Sequence, residues 1–132
     1  MTVLFLCVGN SARSQIAEGL ARTILPPGTV VLSAGSQPAG VVHELARRVL
    51  AEVGIDASRQ TSKHVSTIDL DAVDLAVALC AEEECPVLPA RVRRLDWSLP
   101  DPGYAPVPER LDAFRAVRDE IARRLQGLRT PP

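Results

Sequence analysis

The chain of 132 residues contains no apolar stretch that approaches the roughly 18 residues of a membrane-spanning helix. Its first apolar run, Thr2–Val8, is too short for the core of a secretion signal, and no positively charged segment precedes it. The 15 Lys and Arg residues nearly balance the 16 Asp and Glu residues. The resulting formal charge of −1 gives no electrostatic reason to expect nucleic acid or an anionic membrane as a partner. We therefore expect a cytoplasmic protein, monomeric by default, in which any anion site is local.

Cysteine and histidine are scarce, with three and two residues respectively. An odd number of cysteines in a reducing compartment argues against a disulfide framework, and it leaves reactive thiols or small buried hydrophobic residues as the alternatives. Cys80 and Cys85 do not have the usual spacing of zinc ligands, and with His64 they would still lack a fourth ligand. We therefore expect neither a metal ion nor a cofactor.

The spacing of apolar residues predicts alternating strands and helices in one compact domain, residues 1–132. The predicted strands are Val3–Cys7, Thr29–Ser33, Ala72–Leu79 and Arg91–Leu95, and the predicted helices are Arg13–Leu25, Val41–Val53 and Glu109–Leu125. Residues 63–70 read as a poor strand or a short turn of helix, and the proline-rich segment Asp96–Pro108 reads as a loop. This alternation favours an α/β fold with a parallel sheet and helices on both faces.

Three residues with reactive side chains follow predicted strands. Cys7 ends the first strand, Cys80 directly follows the third, and Asp101 lies in the loop after the fourth. Ligands of parallel α/β sheets bind at the carboxyl ends of the strands. We therefore expect these residues to meet at one edge of the sheet.

The segment from Cys7 to Ser14 has the features of an oxyanion-binding turn. A turn from strand to helix directs backbone N–H groups and the positive end of the helix at one point, which suits a tetrahedral oxyanion. Gly9 and Asn10 tolerate positive φ, and Arg13 offers a planar pair of donors. These groups, with a hydrogen bond from Ser14, favour the thiolate form of Cys7. The predicted oxyanion-binding residues are Val8, Gly9, Asn10, Ser11, Ala12, Arg13 and Ser14.

A general acid is needed as well, because the oxygen that leaves such a centre must take up a proton. Asp101, followed by Pro102 in a loop stiffened by prolines, is the candidate. An Asp-Pro pair alone more often forms a simple turn. Together with the cysteine turn, it predicts a catalytic site of Cys7, Arg13, Ser14 and Asp101.

Four segments of the chain resemble a known family. They are CVGNSARSQIAEG from Cys7, SAG at Ser33–Gly35, LCAEEECPVLP from Leu79 and DWSLPDP from Asp96. The chain resembles the low molecular weight phosphatases and, more closely, the thioredoxin-coupled arsenate reductases that share their fold. The resemblance implies a flavodoxin-like, three-layer fold with four parallel strands. It also implies that Cys7 is the nucleophile, that Arg13 and the loop amides bind the oxyanion, and that Asp101 is the general acid.

The resemblance further implies a relay of three catalytic thiols. Cys7 attacks arsenate, Cys80 forms a disulfide with Cys7 as arsenite leaves, and Cys85 then forms a disulfide with Cys80 that thioredoxin reduces. The segment between Cys80 and Cys85 is shorter than in the reductase pattern, so the extent of its movement stays open, as does a glutaredoxin or small-thiol reductant. Side phosphatase activity fits this reading, since arsenate and phosphate share shape and charge. The alternatives are a protein tyrosine phosphatase acting through a Cys7 phosphoenzyme and a non-catalytic oxyanion-binding module.

One departure from the family pattern concerns a potassium site. Some reductases of this group bind potassium through residues that match Asn10, Glu18 and Ser33 together with an aspartate. Lys63 stands at the position that aligns with that aspartate. We therefore expect the Lys63 ammonium group to occupy this site in place of potassium.

Overall fold

The computed structural model describes residues 1–80 and 88–129, so Cys85 lies outside the described residues. The strands are β1 (Thr2–Cys7), β2 (Val30–Gly35), β3 (Leu75–Cys80) and β4 (Arg93–Leu99). The α-helices are α1 (Arg13–Ile24), α2 (Glu44–Ala51) and α3 (Val107–Arg129), and short 3₁₀ helices lie at Val65–Thr67, Leu70–Ala72 and Pro102–Tyr104. Within the described ranges, no helix is long and apolar enough to cross a membrane.

The strands form one parallel sheet in the order β2-β1-β3-β4. β1 is therefore internal and almost entirely buried, which explains its unbroken apolar sequence. The register pairs Cys7 with Gly35 and Leu6 with Ala78, so the carboxyl ends of three strands lie at the same edge. The strand order reverses between β1 and β3, where open parallel sheets bind their ligands. The predicted parallel α/β sheet is confirmed.

Alternation along β1 divides the core between the two faces of the sheet. Val3 and Phe5 belong to the larger apolar cluster, which includes the inward sides of α1, α2 and α3. Leu4 and Leu6 belong to a second cluster, which is covered by side chains from residues 65–70. The fold therefore has three layers, with the α-helices on one face and short 3₁₀ helices on the other.

The loop predicted at Asp96–Pro108 begins too early. β4 continues through Asp96, Trp97 and Ser98 and ends at Leu99. It is an edge strand whose side chains mostly alternate between exposed and partly buried, so polar residues fit its outer positions. Trp97 packs against the larger apolar cluster.

The strand predicted at Ala72–Leu79 also begins too early. A 3₁₀ helix occupies Leu70–Ala72, and Asp69 caps it by accepting a hydrogen bond from the N–H of Asp71 at 3.1 Å. This local bond stabilises a helical turn where the apolar pattern alone suggested a strand. The strand therefore begins at Leu75.

Glu52, which follows α2, ties that helix to α3. Its carboxylate accepts hydrogen bonds from Arg115 at 2.6 Å and from Arg118 at 2.8 Å. The hydrogen bond from Arg115 is the largest cause of a pKa for Glu52 that is lowered from 4.5 to about 2. A carboxylate with a lowered pKa stabilises the folded state at neutral pH, and this contribution is lost as the pH falls through the folded-state pKa.

We predict that Glu52→Gln lowers the Tm at pH 7, because both ion pairs to α3 are lost. The difference from the parent should shrink as the pH falls from 4.5 towards about 2, since the parent's Glu52 is then protonated as well. Thermal unfolding followed by circular dichroism between pH 7 and pH 3 measures this difference, with the exposed Glu109→Gln as the control. A Tm difference that does not depend on pH would contradict the prediction.

Candidate active site

Cys7 lies at the carboxyl end of the internal strand β1, where it lines a cavity of about 720 Å³. The same cavity is lined by Arg13, at the start of α1, and by Asp101, in the loop after β4. The parallel sheet thus brings together three candidate residues that are far apart in the sequence. Their chemistry is a thiol, a permanent cation and a carboxyl group around one opening.

The loop between Cys7 and α1 is the predicted oxyanion-binding turn. Asn10 takes positive φ, at 44°, whereas Gly9 does not. The α1 N-terminus has no side-chain cap at Ala12 and no acidic residue in its first turn. An uncapped N-terminus presents backbone N–H groups and partial positive charge, which suits an anion.

A neighbouring segment, residues 37–43, holds the loop from outside. The backbone N–H groups of Gln37, Ala39 and His43 each donate to a carbonyl oxygen of the loop at 2.9 Å. The acceptors are the carbonyl oxygens of Val8, Gly9 and Ser11. Because the outward carbonyls are bound, the loop is held in one conformation before any ligand arrives, which lowers the cost of binding an anion.

Gly35, at the end of β2, allows this close packing. A Cβ atom there would lie 2.4 Å from the carbonyl oxygen of Val8 and 2.7 Å from that of Cys7. No larger residue fits against the loop without displacing backbone. The SAG segment at Ser33–Gly35 therefore packs against the site, a role that only the resemblance to the family had suggested.

A chain of hydrogen bonds reaches the Cys7 thiol from inside the fold. Ser14 Oγ lies 2.8 Å from Cys7 Sγ, and Asn10 Nδ2 donates to Ser14 Oγ at 2.8 Å and to Ser33 Oγ at 3.0 Å. Ser33 Oγ in turn donates to Glu18 Oε1 at 2.5 Å. Ser14 Oγ thus lies between the Cys7 sulfur and the Asn10 amide, and the series of hydrogen bonds holds it there.

Glu18 anchors the far end of this chain. It is 3% exposed and pairs with Arg22 at 2.7 Å, while Lys63 Nζ lies 3.9 Å from the carboxylate. Burial lowers the pKa of the Lys63 ammonium group, and the negative charge of Glu18 acts in the opposite direction. Lys63 also donates its backbone N–H to Asn10 Oδ1 at 2.8 Å, which fixes which end of that amide faces the serines.

Arg13 joins the loop to the ends of two strands. Its Nη1 donates to the carbonyl oxygens of Leu79 at 3.3 Å and Leu99 at 2.9 Å. Its Nη2 lies 3.8 Å from Asp101 Oδ2. The other oxygen of Asp101 accepts from the N–H of Gly103 at 2.9 Å, so the carboxyl group is oriented by its own 3₁₀ turn.

Cys80 ends β3, the strand next to β1. Its Sγ lies 3.8 Å from the carbonyl oxygen of Leu6, the residue before Cys7, and its own carbonyl accepts from Ser98 Oγ at 3.2 Å. The side chain is buried and is not among the residues that line the cavity. The second thiol is therefore beside the strand that carries the first.

In the described part of the chain, no group of three or more potential metal ligands is present.

The family model for low molecular weight phosphotyrosine protein phosphatases matches residues 2–130 of the chain. The chain belongs to this family. Arsenate reductase 1 of Staphylococcus haemolyticus (strain JCSC1435) is 42% identical over 127 residues, which are 95% of this chain and 92% of that protein. The arsenate reductase of Bacillus subtilis (strain 168) is 42% identical over 128 residues, or 94% of this chain and 91% of that protein.

Solved structures of arsenate reductases have the same fold. The enzyme from Archaeoglobus fulgidus DSM 4304 superposes with a TM-score of 0.81 at 34% identity, covering 96% of this chain and 97% of that chain. An arsenate reductase in a phosphate-binding state gives 0.81 at 35% identity, covering 96% and 95%. A thioredoxin-dependent arsenate reductase of Corynebacterium glutamicum gives 0.70 at 30% identity, covering 96% of this chain and 62% of that chain.

The cavity has a wall that the sequence did not reveal. The helix predicted at Val41–Val53, with His43 as an exposed member, begins only at Glu44. His43 precedes it as the N-cap, is partly buried and lines the cavity. Tyr104, which is exposed, lines the same cavity. Val41 and Val42 fit the apolar spacing of the helix and made it appear longer than it is, because local pattern does not show where a cap forms.

We predict that Ser14→Ala lowers the rate of Cys7 alkylation at pH 7, because Cys7 Sγ loses its hydrogen bond with Ser14 Oγ. A fall of about tenfold is expected, since a hydrogen bond to a charged group contributes about 1.5–3 kcal/mol and about 1.36 kcal/mol is a factor of ten in rate. Iodoacetamide labelling, with Cys7 read by mass spectrometry, gives the rate. The exposed Ser58→Ala is the control. An unchanged rate in Ser14→Ala would contradict the prediction.

Proposed function

We propose that the chain reduces arsenate to arsenite through a Cys7–Cys80–Cys85 thiol relay that thioredoxin regenerates. The position of Cys7 carries this proposal. It lies on a cavity formed by an anchored oxyanion loop, beside Arg13 and Asp101, and its strand neighbours the strand that ends in Cys80. The 42% identity to two named arsenate reductases supports the same reaction.

In the first step the Cys7 thiolate attacks the arsenic atom of arsenate. An S–As bond forms and an As–O bond breaks, while Asp101 gives a proton so that the leaving oxygen departs as water. The loop amides and Arg13 hold the other oxygens and stabilise their charge. The Asp101 carboxyl group lines the same cavity as Cys7, which supports its role as the acid.

In the second step the Cys80 thiolate attacks Sγ of Cys7. The new S–S bond forms as the S–As bond breaks, and the electron pair of that bond stays on arsenic, which leaves as arsenite. The register pairs Leu6 with Ala78, so Cys80 lies one position beyond the residue opposite Cys7, and successive side chains of a strand point to opposite faces. In the proposed step the end of β3 therefore has to shift to bring the two cysteines within the Cα separation of about 4.4–6.8 Å that a disulfide requires.

In the third step Cys85 attacks Cys80, which releases the Cys7 thiolate and forms a Cys80–Cys85 disulfide. Thioredoxin then supplies two electrons and restores both thiols. Cys85 lies outside the described residues, so this step rests on the sequence and on the thioredoxin-dependent relative from Corynebacterium glutamicum. A relay of free thiols requires a reducing compartment, so we place the enzyme in the cytoplasm as a monomer.

Phosphatase activity is the second candidate function, and the family to which the chain belongs favours it. Cys7, Arg13 and Asp101 suffice for it, because a phosphoryl group on Cys7 can be removed by water. Cys80 and Cys85 have no part in that reaction. The two thiols thus separate the two functions.

We predict that the protein oxidises NADPH in an arsenate-dependent manner when thioredoxin and thioredoxin reductase are supplied. Cys80→Ser and Cys85→Ser should each lower this turnover by at least about a thousandfold, because the relay cannot reach thioredoxin. Both variants should keep the parent's slow hydrolysis of p-nitrophenyl phosphate, whereas Cys7→Ser should lose both reactions. Strong phosphatase activity without arsenate turnover in the parent would favour the second candidate and overturn the first.

We further propose that the Lys63 ammonium group makes potassium dispensable. It lies 3.9 Å from Glu18, and Glu18 ends the series of hydrogen bonds that leads to Cys7. Replacing NaCl with KCl at equal ionic strength should leave kcat/KM for arsenate unchanged. Lys63→Asp, which adds a carboxylate in place of the cation, should make the rate respond to potassium, and the exposed Arg59→Asp should not. A severalfold rise of the parent's kcat/KM in KCl would contradict the proposal.

A further inference from the structure

The imidazole ring of His43 is fixed at the rim of the oxyanion loop. Its Nδ1 accepts a hydrogen bond from the N–H of Leu45 at 3.0 Å, and one face packs against Phe114 with ring centroids 4.7 Å apart. Its backbone N–H donates to the carbonyl oxygen of Ser11, which belongs to the loop itself. The ring also lines the cavity that contains Cys7.

These contacts determine which ring nitrogen carries the proton. Nδ1 accepts from a backbone donor, so in the neutral ring the hydrogen is on Nε2, which is then a donor. Within residues 1–80 and 88–129, no group accepts a hydrogen bond from Nε2. Nδ1 faces α2 and one ring face packs against Phe114, so the Nε2 edge is left for a contact in the cavity that His43 lines.

We propose that His43 is a further oxyanion-binding residue, whose Nε2–H donates to an oxygen of the tetrahedral anion held by the loop. The proposal rests on the same site as the proposed function and adds a side-chain donor to the amides and Arg13. The ligand class is a small tetrahedral oxyanion such as arsenate or phosphate. His43 is pre-positioned for this contact by the cap bond to Leu45, so binding costs little side-chain entropy.

A purely structural role for His43, as the cap of α2, makes a different prediction. His43→Asn keeps the cap, because the Asn side-chain oxygen accepts well from a helix N-terminus, but its short side chain does not reach the position of Nε2. His43→Gln restores the donor instead, since its longer side chain places an N–H group near the position of Nε2. His64, the other histidine, caps a 3₁₀ helix in the same way with Nδ1 and does not line the cavity, so His64→Asn is the matched control.

The test is calorimetric titration of the reduced protein with inorganic phosphate. We expect His43→Asn to bind phosphate about tenfold more weakly, as a lost hydrogen bond to a charged group predicts, and His43→Gln to recover most of the affinity. His64→Asn should match the parent. In the arsenate assay the KM of His43→Asn should rise with little change in kcat, because the contact exists before the reaction as well as during it.

Phosphate affinity in His43→Asn equal to that of the parent would overturn the proposal, and so would an equal loss in His64→Asn. Failure of the proposed function is a separate result, because it would remove arsenate turnover from every variant and leave the phosphate titrations as they are. A measurement on the unmodified protein supplements the variants. The ¹⁵N signal of His43 Nε2 should shift when phosphate is added, and a signal that stays in place at saturating phosphate would also overturn the proposal.

Discussion

The hydrogen bond between Ser14 and Cys7 is the contact on which the chemistry of the site depends. It is 2.8 Å long, and the same serine oxygen accepts a hydrogen bond from Asn10 Nδ2. Asn10 is itself oriented by the backbone N–H of Lys63. The side chain next to the Cys7 sulfur is therefore held in place by further hydrogen bonds, and a rigid loop is a requirement of the chemistry.

The sheet explains how the two thiols of the proposed relay come to lie on neighbouring strands. Cys7 needs a loop with free backbone donors, which the junction of β1 and α1 supplies. Cys80 ends the adjacent strand β3, one position beyond the residue opposite Cys7. The carbonyl oxygen of Cys80 accepts a hydrogen bond from Ser98, so its backbone is held by β4 as well. In the proposed relay, approach of the two sulfurs therefore requires Cys80 to move relative to β1 and β4.

The parts of the site that the sequence predicts are those with local signals. Cys7 and Arg13 flank a turn between a buried strand and an amphipathic helix, and parallel topology then brings Asp101 to the same edge. Gly35 and His43 have no such signal, because their roles arise from packing against a loop that is distant in the sequence. The end of β4 was missed for a related reason, since polar residues on an edge strand look like a loop until their neighbour is known.

Contacts of Arg13 determine the relative positions of the oxyanion site, Asp101 and Cys80. Its Nη1 is held by the carbonyl oxygens of Leu79 and Leu99, which are backbone groups at the ends of β3 and β4. Leu79 directly precedes Cys80, and Asp101 lies just beyond Leu99. The guanidinium group therefore takes its position from the same two strand ends that position the thiol and the acid. An anion bound by Arg13 is placed relative to both of them by the sheet, so one site can support thiol transfer and phosphoryl transfer without rearrangement of its charged groups.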